Sequence, residues 1–385
     1  MNKQKIKKER IKQNLEDFSF PRLSGTESEV KAFRLLKEKL ETIGKNAATQ
    51  TFSFSTFYSR IYPKAAFLLV FWLIFVLFIK INVIFTWINI IIVAALLLPL
   101  VYITRKPEQI QIGKNLNSQN KYLCLNGENN KFMNDKNHIF FIAHLDSKGQ
   151  RLTIKWRWLA NLTWTISLIS MITVLFLRDL VFQGGLVLNI IGIAFLAVHF
   201  IATLGILFNT TNNKSRGAVD NASGVVTILE LMRYYQEEKD LWKNNYLWFV
   251  FTGSEEAGTM GIRYFYKKMK NLDKNKVLVF NIESIGKSLT LFIGKQIKED
   301  YPEFYEVIKE NLENENFNYK IISNGMGTHT DGVFLLQKGF RVIELESPDV
   351  YKYMHSIEDT PDRVDVGLIK ILIEMIIKSL NRVNN

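Results

Sequence analysis

The sequence predicts an α/β domain built on a mixed central sheet and interrupted by two inserted transmembrane helical hairpins. Three observations carry this. From residue 210 onward, short apolar runs alternate with stretches of helical periodicity, the pattern of an α/β layer fold. Two long stretches, 65–104 and 158–208, are nearly free of charge, broken by Lys80 in the first and by Arg178 and Asp179 in the second. Carboxylates or histidines recur just after strand-like runs: His144-Leu145-Asp146, Asp220-Asn221, Glu255-Glu256, Glu283 and His355.

The chain has 385 residues and 48% hydrophobic content, ample apolar material for a core. Its N-terminal part reads as two helices, 9–18 and 27–43, the second placing Val30, Phe33, Leu36, Leu40 and Ile43 on one face. Thr26 with the acidic residues that follow it suits an N-cap and first turn.

The apolar blocks come next. A helix needs about 20 apolar residues to cross ~30 Å of hydrocarbon, so each block holds two spans: 65–79 and 83–104, then 158–177 and 186–208. Core helices of a water-soluble protein are amphipathic, whereas these are apolar all round. Trp72, Trp87, Trp156, Trp158 and Trp164 fall near the expected interfaces or within the spans. Lys80 leaves the first span short and belongs in a turn or at the interface.

Between the hairpins, strands are expected at 109–112, 121–125 and 138–143, with a turn-rich stretch at 126–137. After the second hairpin the order is helix 224–235, strand 246–252, helix 261–269 and strand 276–281. Strands at 289–293, 320–322 and 341–345 follow, with helices at 302–312, 332–337 and 365–380. Neither flank of a hairpin completes the domain alone. The expected organisation is one α/β domain in three parts, 1–60, 107–155 and 210–385, with hairpins at 61–106 and 156–209.

Lysine and arginine outnumber acidic residues by 49 to 37, a net charge of +12. The excess gathers at the open ends of the hairpins, in Arg60, Lys64, Arg105, Lys106, Lys148, Arg151, Lys155, Arg157, Lys214 and Arg216. The closed turns carry only Lys80 and Arg178. By the positive-inside rule the open ends face the cytoplasm, which places the hydrophilic domain there, in a multi-pass protein of the cell membrane. The basic surplus then reflects topology and attraction to the lipid bilayer, with no nucleic-acid partner. A basic run at 2–12 has no apolar stretch after it and is not a secretory signal. Cys124 is the one cysteine, which rules out an intrachain disulfide and a thiolate metal cluster.

In open α/β sheets ligands gather outside the carboxyl ends of the strands. Two imidazoles and several carboxylates without a thiolate suit zinc or a similar divalent metal at a hydrolytic centre. Two metals need a bridging carboxylate, and an adjacent Glu pair divides the labour: one carboxylate binds metal while the other moves a proton.

The set His-x-Asp, Asp-Asn before a helix, Glu-Glu-x-Gly after a strand, a later acidic residue before Gly and a C-terminal His resembles the co-catalytic di-zinc aminopeptidases of the aminopeptidase Y and bacterial leucyl aminopeptidase type. The resemblance extends to Phe20-Pro21-Arg22-Leu23-Ser24-Gly25-Thr26-Glu27 and to Thr330-Asp331-Gly332-Val333-Phe334. It implies a three-layer αβα domain and two zinc ions per chain. It also implies His144, Asp220 and Glu283 around one ion and Asp220, Glu256 and His355 around the other, with Asp220 as bridge. Glu255 would be the general base, and Asp146 would orient the His144 ring. Removal of N-terminal residues from peptides with a free amine is the implied activity. Glu283 stands where many members have Asp. Met354 stands where some place an oxyanion-stabilising Tyr, with Tyr351 or Tyr353 as replacements. His329 has no clear counterpart, and His199 lies within the fourth span.

Three other readings fit the sequence less well. Glutaminyl cyclases resemble the same family but use one zinc and cyclise without hydrolysis; the complete second ligand set and Asp220 argue for two metals. A non-catalytic membrane scaffold would not need Glu255. Transport through the spans lacks paired intramembrane charges.

Overall fold

The computed structural model describes all residues except 1–5, 128–129, 131, 183, 239–244, 323–328 and 385. Part of the basic N-terminal run therefore lies outside the described residues. The chain divides into two units: Met1–Phe54, Leu116–Gly149 and Asn212–Asn385 form one, and Ser55–Asn115 with Gln150–Thr211 form the other.

The first unit is built on an eight-stranded sheet. In chain order its strands are β1 (Ala48–Ser55), β2 (Asn115–Leu125), β3 (Asn137–His144), β4 (Asn245–Thr252), β5 (Val277–Ser284), β6 (Thr290–Gly294), β7 (Asn318–Ile322) and β8 (Arg341–Glu346). Their spatial order is β1-β2-β4-β3-β5-β8-β6-β7. The central four, β4-β3-β5-β8, run parallel. β2 is antiparallel to β4 and β6 to β8. The sheet is mixed, as expected, and every parallel strand of its centre ends at the same edge.

Both faces of the centre are covered, so β3 and β4 read as unbroken apolar runs rather than alternating ones. Phe140, Ile142, Trp248 and Val250 pack with Ile262, Phe265 and Met269 of helix Met260–Met269 and Leu335 and Leu336 of helix Asp331–Gln337. On the other face Phe141 and Phe249 stack at 5.3 Å, and Tyr235 of helix Ser223–Glu237 lies 6.0 Å from Phe141. The period of two along each strand assigns neighbours to opposite layers.

Several local expectations change. No strand forms at 109–112, where Pro107–Gln109 makes a 3₁₀ turn, because proline fixes φ and removes a donor. Strand β1 was not anticipated; its burial alternates weakly and its sequence is polar. In helix Glu27–Thr42 the buried stripe is Glu29, Ala32, Phe33, Leu36 and Leu40, and Val30 is 44% exposed. Thr26 is the N-cap, but its hydroxyl donates back to Leu23 O at 2.6 Å rather than capping the helix.

The second unit holds four helices long and apolar enough to cross a membrane: Phe57–Ile79, Val83–Ile103, Ile154–Val181 and Leu186–Phe208. At most 22% of the most apolar window of any of them is buried within the protein. Side chains such as Ile84, Leu98 and Leu186 are each at least 70% exposed. The first helix extends further N-terminally than the sequence pattern implied, which gives it the length of a span. Lys80 sits in the turn after it, as a left-handed C-cap whose N–H reaches Val76 O. Buried Arg178 donates to Phe78 O at 2.9 Å and to both oxygens of Asp179. His199 is fully buried, with Nδ1 2.9 Å from Ser167 Oγ.

Candidate metal centre

Four parallel strands deliver the site residues to one sheet edge. His144 is the last residue of β3, Glu255 and Glu256 form the turn just past β4, and Glu283 is the penultimate residue of β5. His355 lies in the loop beyond β8, with a left-handed φ of 60° that few non-glycine residues adopt. Asp220 enters from the segment that opens helix Ser223–Glu237.

The structure brings all seven predicted residues together. Asp220 points Oδ1 at His144 Nε2, 3.1 Å away, and Oδ2 at His355 Nε2, 3.3 Å away. Glu283 Oε1 lies 3.5 Å from His144 Nε2, and Glu256 Oε1 lies 3.0 Å from His355 Nε2. Two sets of donor atoms each fall within 4.8 Å of one another: His144, Glu255 and Glu283, and Asp220, Glu256 and His355. Glu255 thus stands in the first set, where the resemblance placed Asp220, and Asp220 touches both histidines.

Asp146 organises the turn opposite. One carboxylate oxygen accepts the Glu255 N–H at 3.0 Å and the other accepts the Glu256 N–H at 3.1 Å and the Ser24 hydroxyl. Its backbone carbonyl lies 3.0 Å from His144 Nδ1 and its Oδ1 3.5 Å away, which leaves Nε2 to face the centre. Asp146 therefore orients both the imidazole and the Glu pair.

Charge at the site is balanced by these contacts. Burial works against ionisation of Asp220, but hydrogen bonds from His144 and His355 hold its carboxyl well below the usual range. Burial likewise opposes ionisation of Glu256, and the charges of His355 and Lys148 bring it down to about 2. Glu255 goes the other way: burial, then the Glu283 charge, push it well above an ordinary carboxyl. Burial disfavours a charged His144, yet Glu283 and the contacts with Asp146 and Asp220 raise it well above the usual imidazole value. The two adjacent glutamates are therefore driven apart, one a firm anion and the other a group that readily holds a proton.

This donor set fits divalent metal. It is made of imidazole nitrogens and carboxylate oxygens grouped at ligand spacing, and it gathers the buried carboxylates of Asp220, Glu255, Glu256 and Glu283 around two imidazoles, an expensive concentration of negative charge unless a cation offsets it.

Several residues support the site in roles that the motifs alone did not assign. Fully buried Arg22 donates to the carbonyls of Leu145, Arg216 and Gly217 at 2.7–2.9 Å. It ties the segment before Asp146 to the segment before Asp220, which explains the Pro-Arg motif. Gly217 has φ +60°, and a Cβ there would lie 2.5 Å from Ser147 Cβ, so the close approach needs glycine. Asp359 accepts Val219 N–H at 2.7 Å, and burial with the nearby Asp220 charge pushes its carboxyl up to about 7. Asn221 Oδ1 accepts the Gly224 N–H at 2.9 Å, and its Nδ2 donates to Ile282 O at 2.7 Å, next to Glu283. Asp331, from the Thr-Asp element, accepts the Thr252 hydroxyl at 2.5 Å beneath the Glu pair. Tyr351 donates to Glu346 at 2.9 Å, the Tyr353 ring lies under Arg363 and His329 is exposed.

Residues 195–380 match peptidase family M28, a segment that holds Asp220, Glu255, Glu256, Glu283 and His355 and excludes His144. No curated protein sequence matches the chain. Among solved structures, an aminopeptidase from Aneurinibacillus sp. strain AM-1 is similar at a TM-score of 0.57 and 13% identity, covering 98% of this chain and 94% of its own. BSAP, a zinc aminopeptidase from Bacillus subtilis, gives 0.55 at 12% identity, covering 98% and 95%. A glutaminyl cyclase from Fimbriiglobus ruber gives 0.52 at 13% identity, covering 97% and 95%. At these identities the likeness is one of fold, and it bears out the α/β architecture that the resemblance implied.

Proposed function

We propose, from the match of residues 195–380 to peptidase family M28 and the zinc-aminopeptidase fold of the chain, that this protein is a membrane-anchored aminopeptidase with two zinc ions. The observation that carries the two-ion reading is Asp220, whose separate oxygens face His144 and His355 at 3.1 and 3.3 Å. His144 and Glu283 would hold one ion, His355 and Glu256 the other, and Asp220 both. Bound zinc supplies Lewis acidity, which polarises a carbonyl and acidifies water.

The chain's own residues do the rest. Glu255 takes a proton from the attacking water and returns it to the departing amine, a role that suits a carboxyl with a raised pKa. Asp146 holds Glu255 and Glu256 by their amides, so the proton-carrying and metal-holding carboxylates keep a fixed separation. The four apolar helices anchor the enzyme, and the basic open ends of the hairpins support a cytoplasmic catalytic domain. Substrates are peptides with a free N-terminus.

Glutaminyl cyclase chemistry is the second reading, favoured by one similar fold. A peptide beginning with glutamine separates the two. Incubation with zinc-loaded protein should release free glutamine by mass spectrometry; loss of ammonia from an otherwise intact peptide would establish the cyclase instead.

A further inference from the structure

The two outer carboxylates of the centre are held alike but by donors of different charge. Glu283 gives Oε1 to the His144 side at 3.5 Å, and its Oε2 accepts Asn281 Nδ2 at 3.1 Å. Glu256 gives Oε1 to the His355 side at 3.0 Å, and its Oε2 meets Lys148 Nζ at 2.6 Å. Each carboxylate thus offers one oxygen to the centre and surrenders the other to an N–H donor. On the His144 side that donor is a neutral amide, itself 3.3 Å from Glu344. On the His355 side it is an ammonium whose side chain is only 16% exposed, where solvent ions screen it little.

We propose that Lys148 makes the two halves of the metal centre unequal: it restricts Glu256 to one ligand oxygen and sets a positive charge beside the His355 half, so a divalent cation there is held more weakly than the one beside His144. This rests on the metallopeptidase reading above.

Two effects of opposite sign decide what removing Lys148 does. Losing an outer partner of a ligand usually weakens metal binding about 10–100-fold. Here, however, Glu256 Oε1 stays against His355 at 3.0 Å while Asp146 holds the Glu256 backbone N–H at 3.1 Å, so the carboxylate keeps its place. Repulsion between a fixed ammonium and a divalent ion a few ångströms away, at an effective dielectric near 20, exceeds the worth of one hydrogen bond. Charge wins, and removing it tightens the weaker site.

The test is chelator competition on full-length, detergent-purified protein loaded with zinc, with bound metal counted by mass spectrometry. Wild type should lose its two ions in two separated steps. Lys148→Met, and Lys148→Gln, which keeps a donor without the charge, should move the weaker step to at least tenfold higher chelator and leave the stronger step in place. Lys148→Arg should behave as wild type. An unshifted or earlier weaker step in both neutral variants, or a single step in wild type, overturns the inference. An unmoved stronger step reports that a variant is folded. Wild-type protein that binds no zinc would contradict the metallopeptidase reading itself, whereas two ions insensitive to Lys148 would contradict this inference alone.

Discussion

His144 Nε2 lies 3.1 Å from Oδ1 of Asp220, a contact made by one oxygen of a carboxylate whose other oxygen serves His355. A bridge of this kind needs two equivalent anionic oxygens. Asp220→Asn keeps the shape and removes that equivalence. Zinc content, measured after dialysis, should fall by at least one ion per chain, with peptide hydrolysis lost alongside it; retention of two ions would show that Asp220 does not bridge.

Asn281 steers Glu283 by its amide at 3.1 Å. Asn281→Leu is close in volume and donates nothing, so Glu283 loses its orienting partner. Affinity for the tighter zinc should drop about 10–100-fold, read in the same chelator series. An unchanged tighter step would mean that Glu283 is positioned by the strand alone.

Arg22 serves carbonyls from three segments and is fully buried. Burial lowers its pKa to about 10, with Asp359 and Asp146 opposing, which leaves it cationic at neutral pH. A lysine offers a point charge in place of a planar fork and strands several acceptors. Arg22→Lys should cost about 3 kcal/mol and lower Tm by about 5–10 °C. A variant within 2 °C of wild type by thermal unfolding in detergent, as an order-of-magnitude threshold, would remove Arg22 from the framework of the site.

Burial pushes the Cys124 thiol up to about 12, against an ordinary value of 9.0. The sign follows directly. A raised thiol pKa favours the neutral form in the folded chain, so the associated stability is complete below pH 9.0 and is lost as pH rises through about 12. Only the thiolate reacts. Alkylation of folded protein at pH 8 should therefore run roughly 10³-fold slower than in denaturant and rise about tenfold per pH unit. Fast labelling at pH 8 would contradict this. Slow labelling leaves engineered cysteines in the hairpin turns as clean reporters of topology, and those turns should react only from outside the cell.

The order of helices and strands was largely legible because β3 and β4 are buried on both faces and their apolar runs are unbroken, while helices such as Ser223–Glu237 keep a clear period. Strand β1 was not, since an edge strand needs no apolar face. The residues facing the centre were legible because histidines and carboxylates beyond strand ends have few structural uses. Their supports were hidden. Lys148, Asn281 and Asp359 act through hydrogen bonds that join distant segments, and a lysine or asparagine in a loop carries no such mark in sequence. Tyr351 shows the reverse: its position suggested oxyanion stabilisation, but its hydroxyl is engaged by Glu346.

The most direct measurement is hydrolysis of a mixed peptide library, free and N-acetylated, by detergent-purified, zinc-loaded protein and by its Glu255→Ala variant. Unblocked peptides alone should lose their N-terminal residues. The variant's kcat should fall about 10²–10⁴-fold, with two zinc ions still bound. Cleavage of acetylated peptides, or equal rates in the two proteins, would contradict the aminopeptidase reading.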